Sequence, residues 1–182
     1  MKNTFLLVLI VIISTINLQG CVEQNNNENK LVTASLNTLG FTSNQLPDDV
    51  IKQNESFNDE STMLDFPPNI TISLLEFYRV EYTTGESQPF LTLEIKKLNS
   101  SEVVKALFDI EKDDFSGPDY TILSIDEQGD ESIICQYRDT YIILFRKYNI
   151  VSTFFINSLI VSDLEKSIEY SEIILGNIES KV

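Results

Sequence analysis

Apolar and polar positions alternate through the middle of the chain, and this period of two predicts β-strands. Between positions 70 and 83, large apolar side chains recur at every second residue: Ile70, Ile72, Leu74, Tyr78, Val80 and Tyr82. Leu75 and Phe77 interrupt the polar half of the pattern, which indicates a β-bulge near Leu74–Leu75 or partial cover of that face. A turn at 84–87 and a second alternation over 90–97 predict a hairpin.

Four more strands are predicted in the C-terminal half, as a meander over 119–125, 131–138, 140–146 and 150–157. The third of these strands is apolar on both sides, because Tyr141, Ile143 and Phe145 alternate with Ile142 and Leu144. A strand of this kind is buried on both faces of its sheet. We therefore expect cover on both sides of the sheet.

Two segments have the period of an amphipathic helix. The first is predicted to begin after Asn99 or Ser100, to run to about Lys112, and to carry Glu102 in its first turn, where the helix dipole favours a negative charge. The second follows a capping box at 162–165 and is expected to lie across the sheet as its closing element.

The chain between the N-terminal segment and the first strand is harder to interpret. Leu31–Leu39 is predicted to form a short helix or an edge strand that ends at Gly40. Residues 42–69 are polar and contain three prolines. They are predicted to be irregular, with a short helix near Asp48–Gln53.

Together these patterns predict one α+β domain over residues 31–182, with a mostly antiparallel sheet of about six strands packed with two main helices. This order of elements resembles that of small PsbP/Mog1-like domains. The resemblance implies an antiparallel sheet packed between helices, and it carries no signature motif.

The first 20 residues have the pattern of a signal peptide. Residues 5–13 are an unbroken apolar run, and as a helix they would span about 13 Å of the roughly 30 Å hydrocarbon core of a bilayer. Polar residues follow the run, as in the c-region of a secretory signal. Leu18-Gln19-Gly20-Cys21 resembles the lipobox of prokaryotic lipoproteins. The resemblance implies a diacylglyceryl group on Cys21 and removal of residues 1–20.

The segment after Cys21 is polar and rich in asparagine, so residues 21–30 are predicted to be a disordered tether. We expect the protein to lie at the cell membrane, anchored through its lipid and facing the extracytoplasmic side. Two alternatives remain open, namely plain secretion and an uncleaved signal that acts as the anchor.

Charge and composition exclude several classes of function. Lys2 is the one charged residue of the predicted signal, so the mature chain keeps 12 cations against 28 acids, a net charge of −16. This charge repels phosphate backbones, so no nucleic acid is expected as a partner. The chain has no histidine, which excludes Ser-His-Asp and Cys-His catalysis and His-ligated metals. Cys135 is predicted to be a small buried hydrophobic residue.

Two sets of residues are candidates for a site. The acidic loop formed by Asp126, Glu127, Asp130 and Glu131 presents hard oxygen ligands that suit Ca²⁺. It lacks the EF-hand spacing, and its alternative role is a solvated hairpin loop. The strand aromatics either pack in the core or line a ligand groove: Tyr78, Tyr82, Tyr137, Tyr141, Tyr148, Phe154 and Phe155.

Two weaker patterns complete the set of candidates. Arg138 and Arg146 would hold an anion if the hairpin between them brought both together. Asn54, Asn69 and Asn99 begin sequons for N-glycosylation.

We expect a non-catalytic, membrane-anchored domain, with no catalytic residue and no cofactor, that binds an unknown protein or small-molecule partner. One alternative is a hydrolase of cell-surface sugars that uses two carboxyl groups about 5–10 Å apart. Another is an accessory subunit of a membrane complex, docked through an edge strand.

Overall fold

The computed structural model describes residues 30–66, 70–85, 88–125 and 128–182. The predicted signal peptide, Cys21 and residues 22–29 of the tether lie outside these ranges, as do Asn69, Asp126 and Glu127. Within the described ranges, no helix has the length and apolar character needed to cross a membrane.

The described residues have an α+β fold, with one antiparallel sheet and two α-helices. The strands are β1 (Ile51–Asn58), β2 (Thr62–Phe66), β3 (Ile70–Thr83), β4 (Leu91–Leu98), β5 (Thr121–Ile125), β6 (Glu131–Tyr137), β7 (Thr140–Lys147) and β8 (Ile150–Asn157). The helices are α1 (Ser101–Asp114) and α2 (Leu164–Glu179). The strand order is β1-β3-β4-β8-β7-β6-β5, and β2 pairs with the first half of β3, on the same side as β1.

The sheet has eight strands and not about six, because β1 and β2 fall inside the segment predicted to be irregular. The short helix predicted near Asp48–Gln53 is also wrong, since β1 begins at Ile51. All eight side chains of β1 are exposed. This strand is held by backbone pairing with β3, so its sequence has no buried apolar face and no period of two.

A bulge in β3 divides that strand between the two faces of the sheet. The register with β4 shifts between Leu74 and Glu76, which confirms the bulge predicted there. The extra residue inverts the alternation beyond it. Ile72 and Leu74 consequently pack in the core under α1, whereas Tyr78, Val80 and Tyr82 pack in the core under α2. The prediction that all of these side chains share one face is wrong.

Both faces of the sheet are covered, as the two-sided apolar pattern of β7 predicts. Helix α1 packs on one face against a core of buried aliphatic and aromatic side chains: Ile72, Leu74, Leu98, Val104, Leu107, Phe108, Ile133, Leu144 and Val151. Helix α2 and residues 31–46 cover the other face. Cys135 is fully buried, and this burial raises the pKa of its thiol to about 11. Its predicted role as a buried hydrophobic residue is confirmed.

The two helices begin at polar caps. The Ser100 hydroxyl accepts a hydrogen bond from the Val103 N–H at 3.3 Å and begins α1, which decides between the two predicted caps. Helix α2 is capped by Asp163, whose carboxylate accepts from the Glu165 N–H at 2.9 Å. The capping residue is therefore one position later than the predicted Ser162.

The segment before β1 contains a 3-10 helix at Leu36–Thr38, so of the two structures predicted for Leu31–Leu39 it has the short helix and not the edge strand. The rest of the segment runs irregularly over the α2 face. Buried polar side chains of the sheet hold its backbone. The Asn149 amide bonds the N–H and carbonyl of Val32, and the Lys97 ammonium donates to the carbonyls of Thr33 and Ala34.

Candidate functional site

A groove of about 630 Å³ lies between residues 41–50 and the ends of β1 and β3. Its lining mixes apolar, hydroxyl and charged side chains: Phe41, Thr42, Ser43, Asn44, Leu46, Pro47, Asp48, Val50, Lys52 and Tyr82. Ligand sites for small molecules commonly have this size and this mixture of an apolar wall with few polar groups. We refer to it as the Tyr82 groove.

The wall formed by residues 41–50 is fixed in place by α2 and β3. The Asn177 amide of α2 donates to the carbonyls of Leu39 and Gly40 at 3.1 and 3.2 Å. A larger side chain at Gly40 would crowd Tyr78, because a Cβ atom there would lie 3.0 Å from the Tyr78 hydroxyl. The Phe41 ring packs edge-on against the Tyr82 ring, with 5.4 Å between ring centroids. The groove is therefore preformed.

A second bulge, in β1, brings two charged side chains together beside the groove. The register with β3 shifts between Gln53 and Ser56, and Asn54 has a positive φ of 50°. Without this bulge, Lys52 and Glu55 would point to opposite faces of the sheet, since residues an odd number of positions apart in a strand do so. With it, the Lys52 ammonium donates to the Glu55 carboxylate at 2.9 Å.

The buried hydroxyl of Tyr78 makes a hydrogen bond with each member of this pair. It donates to the same Glu55 oxygen at 2.9 Å, and Lys52 donates to the Tyr78 hydroxyl at 3.3 Å. An ammonium has three N–H donors, so Lys52 keeps one for a group in the groove. The Glu55 carboxylate accepts both bonds through one oxygen, and its second oxygen faces outward on an exposed side chain.

Hydrogen bonds and burial set the protonation states around the groove. The hydrogen bonds from Lys52 and Tyr78 hold the pKa of Glu55 below its usual value, so it is ionised at neutral pH. Burial raises the pKa of Tyr78 above its usual value and that of Tyr82 to about 12. Both phenols are therefore neutral. The groove is also lined by the side chains of Lys52 and Asp48.

The Tyr82 hydroxyl is buried and makes no hydrogen bond of normal geometry within the described residues. The Phe41 N–H and the Tyr78 hydroxyl approach it and lower its pKa, which burial raises more. A buried donor without a good partner costs about 1–3 kcal/mol. The Tyr82 ring forms a wall of the groove despite this cost.

The predicted metal loop is held by cations at the residues that the structure describes. The Asp130 carboxylate accepts from Lys147 at 3.0 Å, and the Glu131 carboxylate accepts from Arg146 at 2.7 Å and from Lys105 at 3.3 Å. Burial would raise the pKa of Glu131, but Arg146 and Lys105 lower it below its usual value.

Gly129 pins the same loop against β7, since a Cβ atom there would come within 2.4 Å of the Arg146 carbonyl oxygen. Among the described residues, no group of three or more acidic or cysteine side chains gathers to hold a metal ion. Asp126 and Glu127 lie outside those residues, so the Ca²⁺ site stays a prediction.

The two arginines do not form the predicted anion site. Arg146 lies opposite Glu131 near one end of the β6–β7 hairpin, whereas Arg138 lies in the turn at its other end. At about 3.4 Å of rise per residue, the length of β7 separates them. Arg138 stacks instead on the Tyr137 ring, 5.0 Å from its centroid.

One of the predicted aromatic residues, Tyr82, lines the groove, and Tyr78 lies beside it. Sequence reasoning missed the rest of the lining, because residues 41–52 have no strand or helix period. The available signal was the presence of Phe41, Leu46 and Val50 in a polar segment. Apolar residues there indicate a loop that packs against the core.

A comparison of this chain with protein-family models, curated protein sequences and solved structures found no match.

Proposed function

We propose that this protein is an extracytoplasmic lipoprotein whose domain binds a small amphipathic anion, with an apolar body, in the Tyr82 groove. The observation that carries the proposal is the preformed groove, in which apolar walls meet one ammonium, Lys52, and one carboxylate, Asp48. Lys52 binds the anionic head through its spare N–H, and the walls formed by Phe41, Leu46 and Val50 accept the apolar body.

The position of the groove suits a lipid-anchored binding domain. The tether joins the domain at Val32, which is bound to Asn149 next to the Leu98 end of β4. The groove lies at the Tyr82 end, which pairs with Leu91 at the start of β4. From Leu91 to Leu98, β4 spans roughly 24 Å. The groove therefore lies at the opposite end of β4 from the point of attachment, while the tether can extend at most about 35 Å from the lipid.

The acids of the groove favour binding over hydrolysis. Asp48 is the one carboxylate among the described lining residues, and Glu55 lies outside that lining, bound to Lys52 and Tyr78. A glycosidase of the usual kind needs two carboxyl groups that flank the scissile bond. The described lining of the groove supplies one, so we retain a binding function and not a carboxylate-dependent hydrolase.

The anchor is tested by intact mass and membrane fractionation of the wild type beside Cys21→Ser. We expect the wild type in the membrane fraction, lighter by residues 1–20 and heavier by a diacylglyceryl group. The Cys21→Ser chain is expected to be soluble or to retain its signal. If both proteins fractionate alike with no lipid mass, the lipoprotein assignment is wrong.

The groove is tested by calorimetry with decanoate as the amphipathic anion and decanol as its neutral analogue, using the soluble Cys21→Ser chain. Val50→Trp fills the groove and is expected to abolish binding of both probes. Lys52→Gln is expected to weaken decanoate by about tenfold, the loss of one charge-assisted hydrogen bond, and to leave decanol unchanged. Met63→Trp, at an exposed site of β2, is the control.

The proposal fails if decanoate does not bind, or if Val50→Trp and Met63→Trp bind it equally. If Lys52→Gln weakens decanoate and decanol alike, Lys52 does not recognise the anionic head. The ligand class would then be wrong, although the groove would remain a binding site.

A further inference from the structure

The two edges of the sheet differ in how they are protected. Strand β5 ends the sheet beyond β6, and within the described residues it pairs with β6 alone. Its outward N–H and C=O groups are therefore available to another strand. Proteins usually protect such an edge with lysine, proline or cover by a loop, and the sequence of β5, Thr-Ile-Leu-Ser-Ile, contains no charge and no proline.

The opposite edge carries the usual protection. Strands β1 and β2 share it as two separate pieces, and β1 is interrupted by the bulge at Asn54. Lys52 and Glu55 place charges on it. β5 has one protective feature of its own, a register shift between Ile122 and Ser124.

The side chains of β5 form an exposed apolar surface. Ile122, Leu123 and Ile125 are 46%, 39% and 49% exposed. Ile122 and Ile125 pair with Cys135 and Ile133 of β6, so both lie on the face that carries α1. They extend the apolar core of that face outward to the edge of the sheet.

The start of β5 is rigid. The Tyr120 ring, which precedes the strand, packs on the Tyr137 ring at 5.1 Å and on the Phe115 ring at 5.8 Å between centroids. A preformed edge binds an added strand at a lower entropic cost than a mobile one. Rigidity, free backbone groups and exposed apolar side chains are together what strand addition requires.

The negative charge of this chain favours a basic partner for β5 over a second copy of the same chain. Asp119 precedes β5 and is exposed, and the whole chain has a net charge of −15. Pairing of β5 with a second copy would bring two strongly acidic chains together, and like charges at an interface oppose association. A segment with basic flanks is attracted to this acidic chain.

We propose that β5 is a docking edge for an extended segment of another protein, with alternating apolar side chains and lysine or arginine at both ends. The segment adds to β5 as an antiparallel strand and packs its apolar side chains on Ile122 and Ile125. This surface is separate from the Tyr82 groove, so each can fail independently.

The test uses the full lipidated chain in nanodiscs of zwitterionic lipid and a fluorescent peptide, Lys-Lys-Val-Thr-Val-Thr-Val-Lys-Lys. Anisotropy measures binding, and hydrogen exchange of residues 121–125 locates it. We expect slower exchange in β5 on binding. Ile122→Lys combined with Ile125→Lys is expected to weaken binding by at least about tenfold, because it removes apolar contact and repels the peptide.

Ile51→Lys combined with Met63→Lys is the matched control, since both side chains are exposed on the opposite edge of the sheet and the pair adds the same two charges. It should bind the peptide as the wild type does. A peptide with glutamate in place of lysine should not bind. The proposal is overturned if the lysine peptide does not bind, or if the two edge variants weaken it equally. It is also overturned if the wild type dimerises through β5, because the occupant would then be a second copy.

Discussion

The two faces of the sheet are covered by different kinds of structure, and their cores differ accordingly. Helix α1 satisfies its own backbone groups and needs only an apolar surface beneath it, so the buried core on that face is built from aliphatic side chains and Phe108. Residues 31–46 on the α2 face pair internally in turns, such as those closed by the Leu39 and Gln45 N–H groups, and the rest of the segment needs other partners. The sheet supplies their partners as buried polar side chains, chiefly Lys97 and Asn149.

The buried polar groups of this fold lie where they can bond the backbone of the covering segment. Glu76 pairs with Lys97 at 2.6 Å and accepts from the Leu36 N–H at 2.9 Å, so one ion pair serves three backbone groups of the covering segment. A buried ion pair on its own is weak evidence of stability. Here the charges replace the hydrogen bonds that a helix would have made.

Two neighbouring lysines of β4 provide the strongest test of this comparison, since Lys97 lies on the α2 face and Lys96 on the α1 face. Lys97→Met should lower the free energy of unfolding by about 2–3 kcal/mol. It removes the donor from two backbone carbonyls of the covering segment and the cation from part-buried Glu76. Lys96→Met should cost only about 1 kcal/mol, because Lys96 bonds the Glu111 carboxylate and holds none of the described covering segment. Urea unfolding of the two variants measures both values, and equal costs would show that the faces do not differ as argued.

The two asparagines that flank β8 give a second contrast. Asn149 is buried and bonds Val32 and the Leu98 carbonyl, whereas the Asn157 amide oxygen accepts from the exposed Leu159 N–H. Asn149→Ala should cost about 2–3 kcal/mol, since it leaves buried backbone groups unpaired. Asn157→Ala should cost about 1 kcal/mol or less. Thermal unfolding at matched concentration checks the order, and a reversed order would contradict it.

The most gradual expected effect is a loss of stability at alkaline pH, to which one group on each face of the sheet contributes. The pKa of Cys135, on the α1 face, rises from 9.0 to about 11 on burial, and that of Tyr82, on the α2 face, from 10.0 to about 12. The folded state therefore holds these protons more tightly than the unfolded state. Stability is full below pH 9 and falls as pH rises, by about 1.4 kcal/mol per pH unit for each titrating group.

Two variants identify which side chain causes each part of this loss of stability. Cys135→Ala should remove the decline that begins near pH 9, and Tyr82→Phe should reduce the decline between pH 10 and 12. Urea unfolding measured from pH 8 to 11 follows both. A wild-type stability that stays constant over this range would refute the assigned pKa shifts.

The sequence predicted most of the regular elements because their side chains carry the signal. The period of two located β3 to β8, and the cap at Ser100 located α1. The bulge in β3 was also visible, since Leu75 breaks the alternation. β1 was missed for a physical reason. An edge strand with all side chains exposed is specified by the strand beside it and not by its own pattern.

The sequence by itself determined the α+β class, the two-sided cover of the sheet, the exclusion of histidine chemistry and the expectation of a lipid on Cys21. Only the tertiary structure decided which face each half of β3 occupies, because one extra residue at a bulge inverts the alternation that follows. The tertiary structure also decided which residues form the Tyr82 groove. The lining comes from residues 41–52 and from Tyr82, which are distant in sequence, and pairing of β1 with β3 brings them together.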